Sequence, residues 1–343
     1  MKVTRVGFDI AKDVFEVHGV NEHGKVELRK QLRRVRVLEF FAKLEACLIG
    51  METGSGAHYW ARELQRLGHT VRLMAPRFVK PYRKSDKCDR NDAEAICEAV
   101  GRPNMRFVAV KSEEQQAILS LHRIHTGIKS ERNALSNRLR GLLAEFGIVL
   151  PKGLERLRRE LPLIISSARL PALVAPLMSD GLKRLDELDQ LMKQHERDIR
   201  SLALQSEPAR RLMQARGIGP ITATAAIATI GDAKLFKNGR AVSAWLGMVP
   251  GRSGTGGKVW FGGITHRGDS YLRTLLVQGA RSVMNTTRGK TDSLSLWVEN
   301  LRARRGDNVA AVALAAKNAR MIWAMLARGE AYRPTMASQC AEM

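Results

Sequence analysis

The first 110 residues alternate between short apolar runs with a period of two and segments with helical spacing. Three period-two runs come first, which predicts three strands joined by tight turns, and helical and buried-strand patterns alternate after them. This order predicts an α/β unit whose later strands run parallel. The predicted strands cover 3–10, 13–20, 25–30, 47–52, 70–76 and 106–110, and the predicted helices cover 38–45, 58–67 and 89–100.

Residues 111–205 change to long helical patterns whose polar positions are rich in Arg and Lys. Pro171 and Pro176 argue against an early start of the last helix, because proline disrupts a helix interior. Two long helices with few aromatic residues favour an antiparallel coiled-coil segment, and a plain helical linker is the alternative. The predicted helices cover 115–146, 154–161 and 177–204.

Residues 206–328 predict a further, mostly helical unit with two glycine-containing segments. Gly217 and Gly219 stand at a helix start, where exposed backbone N–H groups suit a phosphate; a tight helix turn explains them equally well. Residues 249–258 are rich in glycine and hydroxyl side chains and are interpreted as a flexible loop. The predicted divisions of the chain are 1–112, 113–205, 206–328 and a flexible tail over 329–343.

Four carboxylates fall at strand ends or at a helix start. Asp9 lies in the first predicted strand and Glu52 ends the fourth, while Asp89 and Asp92 open the helix after the fifth. Strand ends of an open α/β sheet gather distant residues into one site, and positions i and i+3 share a helix face. Carboxylates suit Mg²⁺, and metal ions can activate phosphodiester transfer. The alternative for the helical pair is a capped, solvated helix face.

Charge points to the class of partner. The 343 residues include 57 Lys and Arg against 34 Asp and Glu, a formal net charge of +23. Such an excess indicates a polyanion, with nucleic acid as the first expectation and a membrane surface as the weaker one. The candidate nucleic-acid contacts are Lys80, Arg83, Lys84, Lys87, Arg90, Gly217, Gly219, Arg252, Lys258, His266, Arg267 and Arg273.

Other patterns bear on location and on metal binding. From the sequence we expect no membrane span, because no apolar run approaches the roughly 20 residues that a spanning helix needs. The N-terminus has no signal-peptide pattern. His122 and His125 lack an acidic neighbour in the sequence and are interpreted as surface or phosphate-contact residues. The cysteines show no C-x-x-C spacing, which fits reduced thiols in a cytoplasmic protein. They are Cys47, Cys88, Cys97 and Cys340.

Over nearly its whole length the sequence resembles the DEDD transposases of bacterial insertion sequences, the IS-one-ten class, whose better-studied members are RNA-guided bridge recombinases. Several separate motifs in the right order carry the resemblance. They are Gly7–Lys12, Met51–Gly54, Asp89–Ala93, Gly217–Ala223, Trp245–Pro250 and Ile264–Arg273.

The resemblance implies an RNase H/RuvC-like N-terminal domain, a coiled-coil insertion and a mostly α C-terminal transposase domain. It implies that the four carboxylates bind Mg²⁺ and that a serine in a Ser-Gly dipeptide is the nucleophile. This sequence departs from that pattern, because Thr255 stands at the matching position and Ser253 begins the local Ser-Gly dipeptide. Position favours Thr255, whereas a less hindered primary hydroxyl favours Ser253.

The implied function is a DNA transposase/recombinase that acts on donor and target DNA through a covalent hydroxyl–DNA intermediate. The resemblance also implies a non-coding guide RNA, and we expect a homo-oligomer. One alternative is a junction-resolving nuclease that uses water and forms no covalent link. The other is a non-catalytic nucleic-acid-binding protein whose acidic residues are structural.

Overall fold

A computed structural model describes residues 2–84, 86, 88–167 and 169–332. The chain separates into two compact units, one ending at Glu114 and the other starting at Gln115. The first contains a mixed sheet with helices and the second is mostly helical, which confirms the coarse fold class predicted from the sequence. Lys87, a predicted nucleic-acid contact, and residues 333–343 of the predicted tail lie outside the described residues.

The N-terminal unit follows the predicted order of strands and helices. Its meander comes first, and helices and strands alternate after it. The strands are β1 Arg5–Asp9, β2 Val14–Val20, β3 Val26–Arg33, β4 Leu48–Glu52, β5 Thr70–Met74 and β6 Phe107–Val108, and the helices are α1 Val37–Ala42, α2 Ala57–Arg66, α3 Pro76–Val79 and α4 Asp89–Val100.

The strand order is β3-β2-β1-β4-β5-β6, with β1, β4 and β5 parallel to one another. The prediction for the last strand was wrong, because β6 has only two residues and runs antiparallel to β5. Phe107 pairs with Met74, the final residue of β5, so the chain enters the sheet from the carboxyl end of β5. A strand that enters from that end must run antiparallel.

The two faces of the sheet carry different side chains. Phe8 points to the face covered by α1 and α2, where its ring lies 5.4 Å from Phe15, 5.1 Å from Phe41 and 6.4 Å from Trp60 between centroids. Offset and edge-to-face packing at these distances is favourable for aromatic rings. Since side chains alternate along a strand, the neighbours of Phe8 face the other side, which α4 covers.

The second unit consists mainly of helices. Helix α7 begins earlier than predicted, because Pro176 lies in its first turn, where a proline removes no intrahelical hydrogen bond. The described elements are α5 Glu113–Ala144, α6 Leu154–Ser166, α7 Val174–Gln205, α8 Glu207–Leu212, α9 Pro220–Ile230, α10 Gly239–Trp245, β7 Pro250–Thr255, β8 Lys258–Ile264, α11 Ser270–Met284, α12 Ser293–Arg305 and α13 Asp307–Arg328.

Helices α5, α6 and α7 share an apolar cluster. Buried leucines from all three helices form it, and a shared ion pair reinforces it, with Arg132 Nη1 3.0 Å from Asp189 Oδ1. Arg158 also pairs with Asp189, so one carboxylate on α7 links α5 and α6. The buried leucines of the helices are Leu139, Leu143, Leu157, Leu161 and Leu185, and Leu170 joins them from the connection between α6 and α7.

Helix α13 lies in the core that α8 to α12 build around it. By length and composition it could cross a membrane, which corrects the expectation that no such segment exists. Half of its apolar window is buried inside the unit, as in the core helix of a globular fold. Beyond it, Gly329 O accepts a hydrogen bond from Arg211 and Tyr332 packs against the core.

Candidate active site

Two glycines allow α4 to lie directly on strands β1 and β4. A Cβ atom on Gly7 would lie 2.0 Å from the carbonyl oxygen of Ala93, and one on Gly50 would lie 2.6 Å from Cβ of Val100. Distances this short leave no room for a methyl group at either position. Gly7 and Gly50 also pair in register across the parallel strands. This contact was not predicted from the sequence, although each strand-end carboxylate has a glycine two residues before it in the sequence.

This packing fixes where the four carboxylates lie. Asp9 and Glu52 follow the two glycines by two residues, so they share the strand face that α4 covers. Asp89 and Asp92 lie in the first turn of α4, just before the residues that contact β1. The sheet and α4 therefore bring together the carboxylates that the sequence predicted as a group.

Electrostatics at Asp9 reflect that crowding. The pKa of Asp9 is raised to about 6, and burial is the largest cause, followed by the charges of Asp92, Asp89 and Glu52 in that order. A hydrogen bond with the backbone of Ile10 opposes the shift. Each of the other three carboxylates is therefore close enough to Asp9 to disfavour its charged form.

One cation of the preceding basic run pairs with one of the four carboxylates. Arg83 Nη1 lies 3.2 Å from Asp92 Oδ1, and both side chains are largely buried. Lys84 Nζ lies 3.5 Å from Glu94 Oε1 at the surface. The predicted contacts Lys80 and Arg90 are exposed. Arg83 and Lys84 thus each have a local anionic partner, and Lys80, Lys84 and Arg90 remain accessible to solvent.

The donor set can be tested against a hard divalent cation. Among the described residues, no group of three or more His, Cys, Asp or Glu side chains has the geometry to hold a metal ion. The chemistry of the donors nevertheless fits, because carboxylate oxygens are the ligands that Mg²⁺ prefers. A cation placed among them would also relieve the repulsion that raises the pKa of Asp9.

Both candidate hydroxyls lie in a β-hairpin, so the prediction of a flexible loop over 249–258 was wrong. Strands β7 and β8 pair antiparallel around Gly256 and Gly257, whose φ angles are +55° and +78°. Two-residue hairpin turns of this type need positive φ at both central positions, which glycine adopts without strain. The Gly-Gly pair therefore creates a turn between two strands.

The hairpin register sorts its side chains onto two faces. Ser253 pairs with Trp260 and Thr255 pairs with Lys258. Directly opposed residues share a face, and residues two apart on one strand do so as well, so these four side chains lie together. Arg252 lies on the other face. Trp260 was not among the predicted site residues, although its spacing from the Gly-Gly turn could have identified it.

The base of the hairpin is held by hydrogen bonds to backbone carbonyl oxygens. Arg273 Nη1 donates to the carbonyl oxygens of Leu246 and Arg267, at 2.9 and 2.8 Å. His266 has a positive φ of 53°, and its N–H donates to Gly247 O. Arg273 therefore fixes the connection between the hairpin and α11, whereas His266 and Arg267 are exposed.

The Gly217-Ile218-Gly219 turn packs against α11. A Cβ atom on Gly279 would lie 2.0 Å from Gly217 O, and Gly217 has a positive φ of 86°. This contact explains Gly217 by packing alone. Gly219 precedes α9, and among the described residues no atom lies within 4 Å of a Cβ placed on it. Gly219 is therefore the more open of the two predicted phosphate contacts.

His122 and His125 are buried, and their interpretation as surface residues was wrong. His122 is 1% exposed, and its ring nitrogens hydrogen-bond Tyr271 and Thr224, each at 2.9 Å. His125 Nε2 lies 3.5 Å from Glu196 Oε1 on α7, an acidic partner that is remote in sequence. The spacing of the histidines shows which face of α5 they share but cannot show which helices cover it.

His122 should make the folded unit sensitive to acid. Burial, followed by the charge of His125, lowers its pKa to about 4, below the ordinary value of 6.5. The unfolded chain therefore binds the proton more tightly than the folded chain does. The contribution of neutral His122 to the free energy of unfolding is fully present above pH 6.5, and it is lost as the pH falls from 6.5 toward 4. We expect the wild type to lose about 2 kcal/mol more than His122→Gln between pH 7 and 4.5.

Urea unfolding followed by circular dichroism at the two pH values measures this difference. His23→Gln is the matched control, because His23 is largely exposed, and it should follow the wild type. Equal pH slopes for the wild type and His122→Gln would contradict the prediction.

Sequence comparisons identify the class of protein. A family model described as Transposase IS116/IS110/IS902 family matches residues 209–294, and a DEDD transposase model of the IS110 type matches residues 6–148. The first segment contains the hairpin, and the second contains all four carboxylates. The chain is a DNA transposase, which confirms the activity predicted from the sequence.

Full-length relatives agree with both matches. A probable family 20 transposase of Pseudomonas aeruginosa is 49% identical over 97% of this chain and 100% of that protein. The transposase for insertion sequence element IS1111A of Coxiella burnetii is 40% identical over 96% and 91%. The transposase for IS1328 of Yersinia enterocolitica is 38% identical over 96% and 98%. The chain belongs to the IS116/IS110/IS902 family of insertion-sequence transposases.

Proposed function

We propose that this transposase cleaves and rejoins DNA through a covalent link to a hydroxyl of the hairpin, Ser253 or Thr255. The observation that carries the proposal is the hairpin face, where both hydroxyls are exposed beside Lys258. A flexible loop would have to order before it could hold a nucleophile, whereas the Gly-Gly turn and paired strands hold these hydroxyls in one orientation.

The reaction balances without an external energy source. The hydroxyl oxygen forms an ester bond to the scissile phosphorus and gives up its proton, while one DNA P–O bond breaks and the released strand end takes up a proton. Rejoining reverses the exchange with a different strand end, so the number of phosphodiester bonds is conserved. Cations near the attacked phosphate, such as Lys258, offset the charge that builds on its oxygens.

Asp9, Glu52, Asp89 and Asp92 would hold Mg²⁺ in the N-terminal unit. Their oxygen donors and the raised pKa of Asp9 support this role. When bound, the ion would polarise the phosphate oxygens and stabilise the entering and leaving oxygens. Arg83, which pairs with Asp92, orients one of the four carboxylates.

The finer domain assignments belong to the same proposal. The mixed sheet over 1–112 is RNase H/RuvC-like, the helices of 113–205 form a coiled-coil segment, and residues 206–328 form the transposase domain. The strand order with a meander beside parallel strands supports the first assignment. The leucine cluster shared by α5, α6 and α7 supports a packed helical segment for the second.

A non-coding guide RNA would pair with donor and target DNA, so the protein reads backbone and shape while base pairing selects sequence. The formal net charge of +23 supports binding of more than one polyanionic strand. Two strands must be held during exchange, which favours a homo-oligomer over a monomer.

The experiment uses the full chain, Mg²⁺, its RNA and DNA containing the ends of the element. We expect the wild type to form an adduct between DNA and protein that survives denaturing electrophoresis. One of Ser253→Ala and Thr255→Ala should abolish the adduct and the other should retain it, which identifies the nucleophile.

An adduct in both single variants, with its loss only in the double variant, would mean that either hydroxyl attacks. An adduct that persists in the double variant would remove the hairpin from this role. Cleavage by the wild type without any adduct would instead favour attack by water.

A further inference from the structure

One face of the hairpin combines groups that fit the two parts of a nucleotide. Trp260 lies opposite Ser253, and Lys258 lies opposite Thr255, next to the turn. Directly opposed pairs have Cβ atoms about 4.5–5.5 Å apart. An ammonium group and two hydroxyls suit a phosphate, and an indole beside them suits a base.

The aromatic residues of β8 are unusually exposed. The exposed fractions are 54% for Trp260 and 71% for Phe261, and Val259 before them is 40% exposed. Contiguous exposed apolar side chains mark interaction surfaces, because leaving them in water forgoes the free energy of burial. The hairpin therefore has the composition of a binding element.

Charge decides which partner this surface fits. Residues 250–264 contain Arg252 and Lys258 and no acidic residue. A second copy of the hairpin would bring like charges together, which is unfavourable at an interface. A nucleic acid strand supplies both the opposite charge and flat apolar bases. Aromatic side chains combined with cations are typical of surfaces that bind single strands.

We propose that Trp260 stacks on an unpaired base of the DNA strand while Lys258 contacts the adjoining phosphate. Trp260 is then a positioning residue, since it fixes the strand whose phosphate faces Ser253 or Thr255. The identity of that phosphate rests on the proposed function, whereas the stacking contact does not. A base inside a duplex is already stacked on its neighbours, so the contact favours strands opened during exchange.

Positioning of this kind affects the rate of attack as well as affinity. A misplacement of about 1 Å between reacting atoms can cost on the order of a hundredfold in rate. The phosphodiester backbone rotates freely when its bases are unpaired, and stacking one base removes much of that freedom. We therefore expect loss of the indole to weaken binding and to slow adduct formation.

The binding test needs no knowledge of the target sequence. Full-length wild type, Trp260→Ala and Trp260→Phe are titrated into a labelled oligo-dT of about 20 nucleotides and into an abasic oligonucleotide of equal length and charge. Trp260→Ala should weaken oligo-dT binding by roughly five- to a hundredfold and leave abasic binding within about twofold. Trp260→Phe should retain most of the affinity.

Tyr59→Ala is the control, because Tyr59 is an aromatic side chain that is 41% exposed and lies on α2, outside the hairpin. It should change both affinities by less than about threefold. Equal losses on both oligonucleotides, or no loss on oligo-dT, would overturn stacking by Trp260. Equal losses together with a smaller particle in light scattering would show that this face binds a second copy of the chain.

The adduct assay separates this inference from the proposed function. A wild type that binds oligo-dT through Trp260 but forms no adduct would retain the stacking contact and lose the covalent mechanism. An adduct in the wild type together with unchanged oligo-dT binding by Trp260→Ala would retain the covalent mechanism and remove the stacking contact. If the stacking contact and the covalent mechanism both hold, Trp260→Ala forms the adduct more slowly than the wild type and Trp260→Phe restores the rate.

Discussion

Replacing Asp9 by Asn is expected to abolish DNA cleavage and rejoining while making the metal-free protein more stable. Asp9 is the carboxylate whose pKa is raised to about 6, first by burial and then by Asp92, Asp89 and Glu52. Its charged form is therefore unfavourable in the folded chain. The same charge would be needed to hold Mg²⁺, so removing it separates stability from activity.

The sign of the stability effect follows from the direction of the shift. The pKa of Asp9 in the folded chain lies above the ordinary 3.8, so charging Asp9 disfavours the folded state. The free energy of unfolding is unaffected by this group below pH 3.8 and declines as the pH rises toward 6. Above pH 6 the wild type carries the whole penalty, and Asn carries none. We expect Asp9→Asn to gain about 1–3 kcal/mol at pH 7.5 in EDTA, with a smaller gain at pH 5.

The activity effect should be larger. Losing several kcal/mol of transition-state stabilisation corresponds to a decrease of about a thousandfold or more in the rate of strand transfer. Thermal unfolding in EDTA and strand transfer in Mg²⁺ measure the two effects on one preparation. Asp13→Asn is the control, since Asp13 is exposed at the end of the turn that leads into β2, and its stability and strand-transfer rate should both match the wild type.

A stability loss in Asp9→Asn without metal would show that its charge is well accommodated in the folded chain and would argue against a crowded acidic site. Retained strand transfer would remove Asp9 from the chemistry. In that case the acidic residues would be structural, as in the alternative of a non-catalytic binding protein.

The grouping of the four carboxylates was predictable from the sequence, because it depends on where strands and helices end or begin. Asp9 and Glu52 could be grouped because each stands at the end of a buried strand, and a parallel sheet brings such ends together. Asp89 and Asp92 followed from their spacing at a helix start. Local patterns cannot show which helix covers which strand, so the contact between Gly7 and α4 required the structure.

Residues whose partners are remote were the ones misread. His122 looked polar and solvent-facing, but Tyr271 and Thr224 meet it from helices about a hundred residues or more away in sequence. The hairpin was misread for a different reason. Its glycine content suggested flexibility, although Gly256 and Gly257 form a defined turn that sets Trp260 opposite Ser253.

Replacing Gly7 by Ala is expected to prevent α4 from packing on β1. The new Cβ atom would lie 2.0 Å from Ala93 O and 2.4 Å from Cys97 N, both of which are backbone atoms of α4. Since no side-chain rotation relieves such a contact, the helix itself must move. We expect a loss of about 3 kcal/mol or more in the free energy of unfolding, at the upper end for overpacked cores.

Gly50→Ala tests the same packing of α4 on the sheet with a smaller expected loss of stability, and a second substitution can relieve its steric clash. Its Cβ atom would lie 2.6 Å from Cβ of Val100, a side-chain atom, so removing that side chain restores space. Each of Gly50→Ala and Val100→Gly should destabilise the chain. The double variant should be about 1–2 kcal/mol more stable than the sum of the two changes predicts. Gly54→Ala, in the exposed turn after β4, should stay within about 0.5 kcal/mol of the wild type.

The same variants connect packing to the metal site. A shift of α4 carries Asp89 and Asp92 away from the strand ends, so Gly50→Ala should bind Mg²⁺ about tenfold more weakly, by analogy with changes that misorient metal ligands. The double variant should recover part of that affinity in calorimetric titration. Unchanged Mg²⁺ affinity in a Gly50→Ala protein of clearly lower stability would show that α4 does not position the ligands. Recovery of stability and affinity together would mean that the two glycines act through geometry alone, because they set the distance between a helix start and two strand ends.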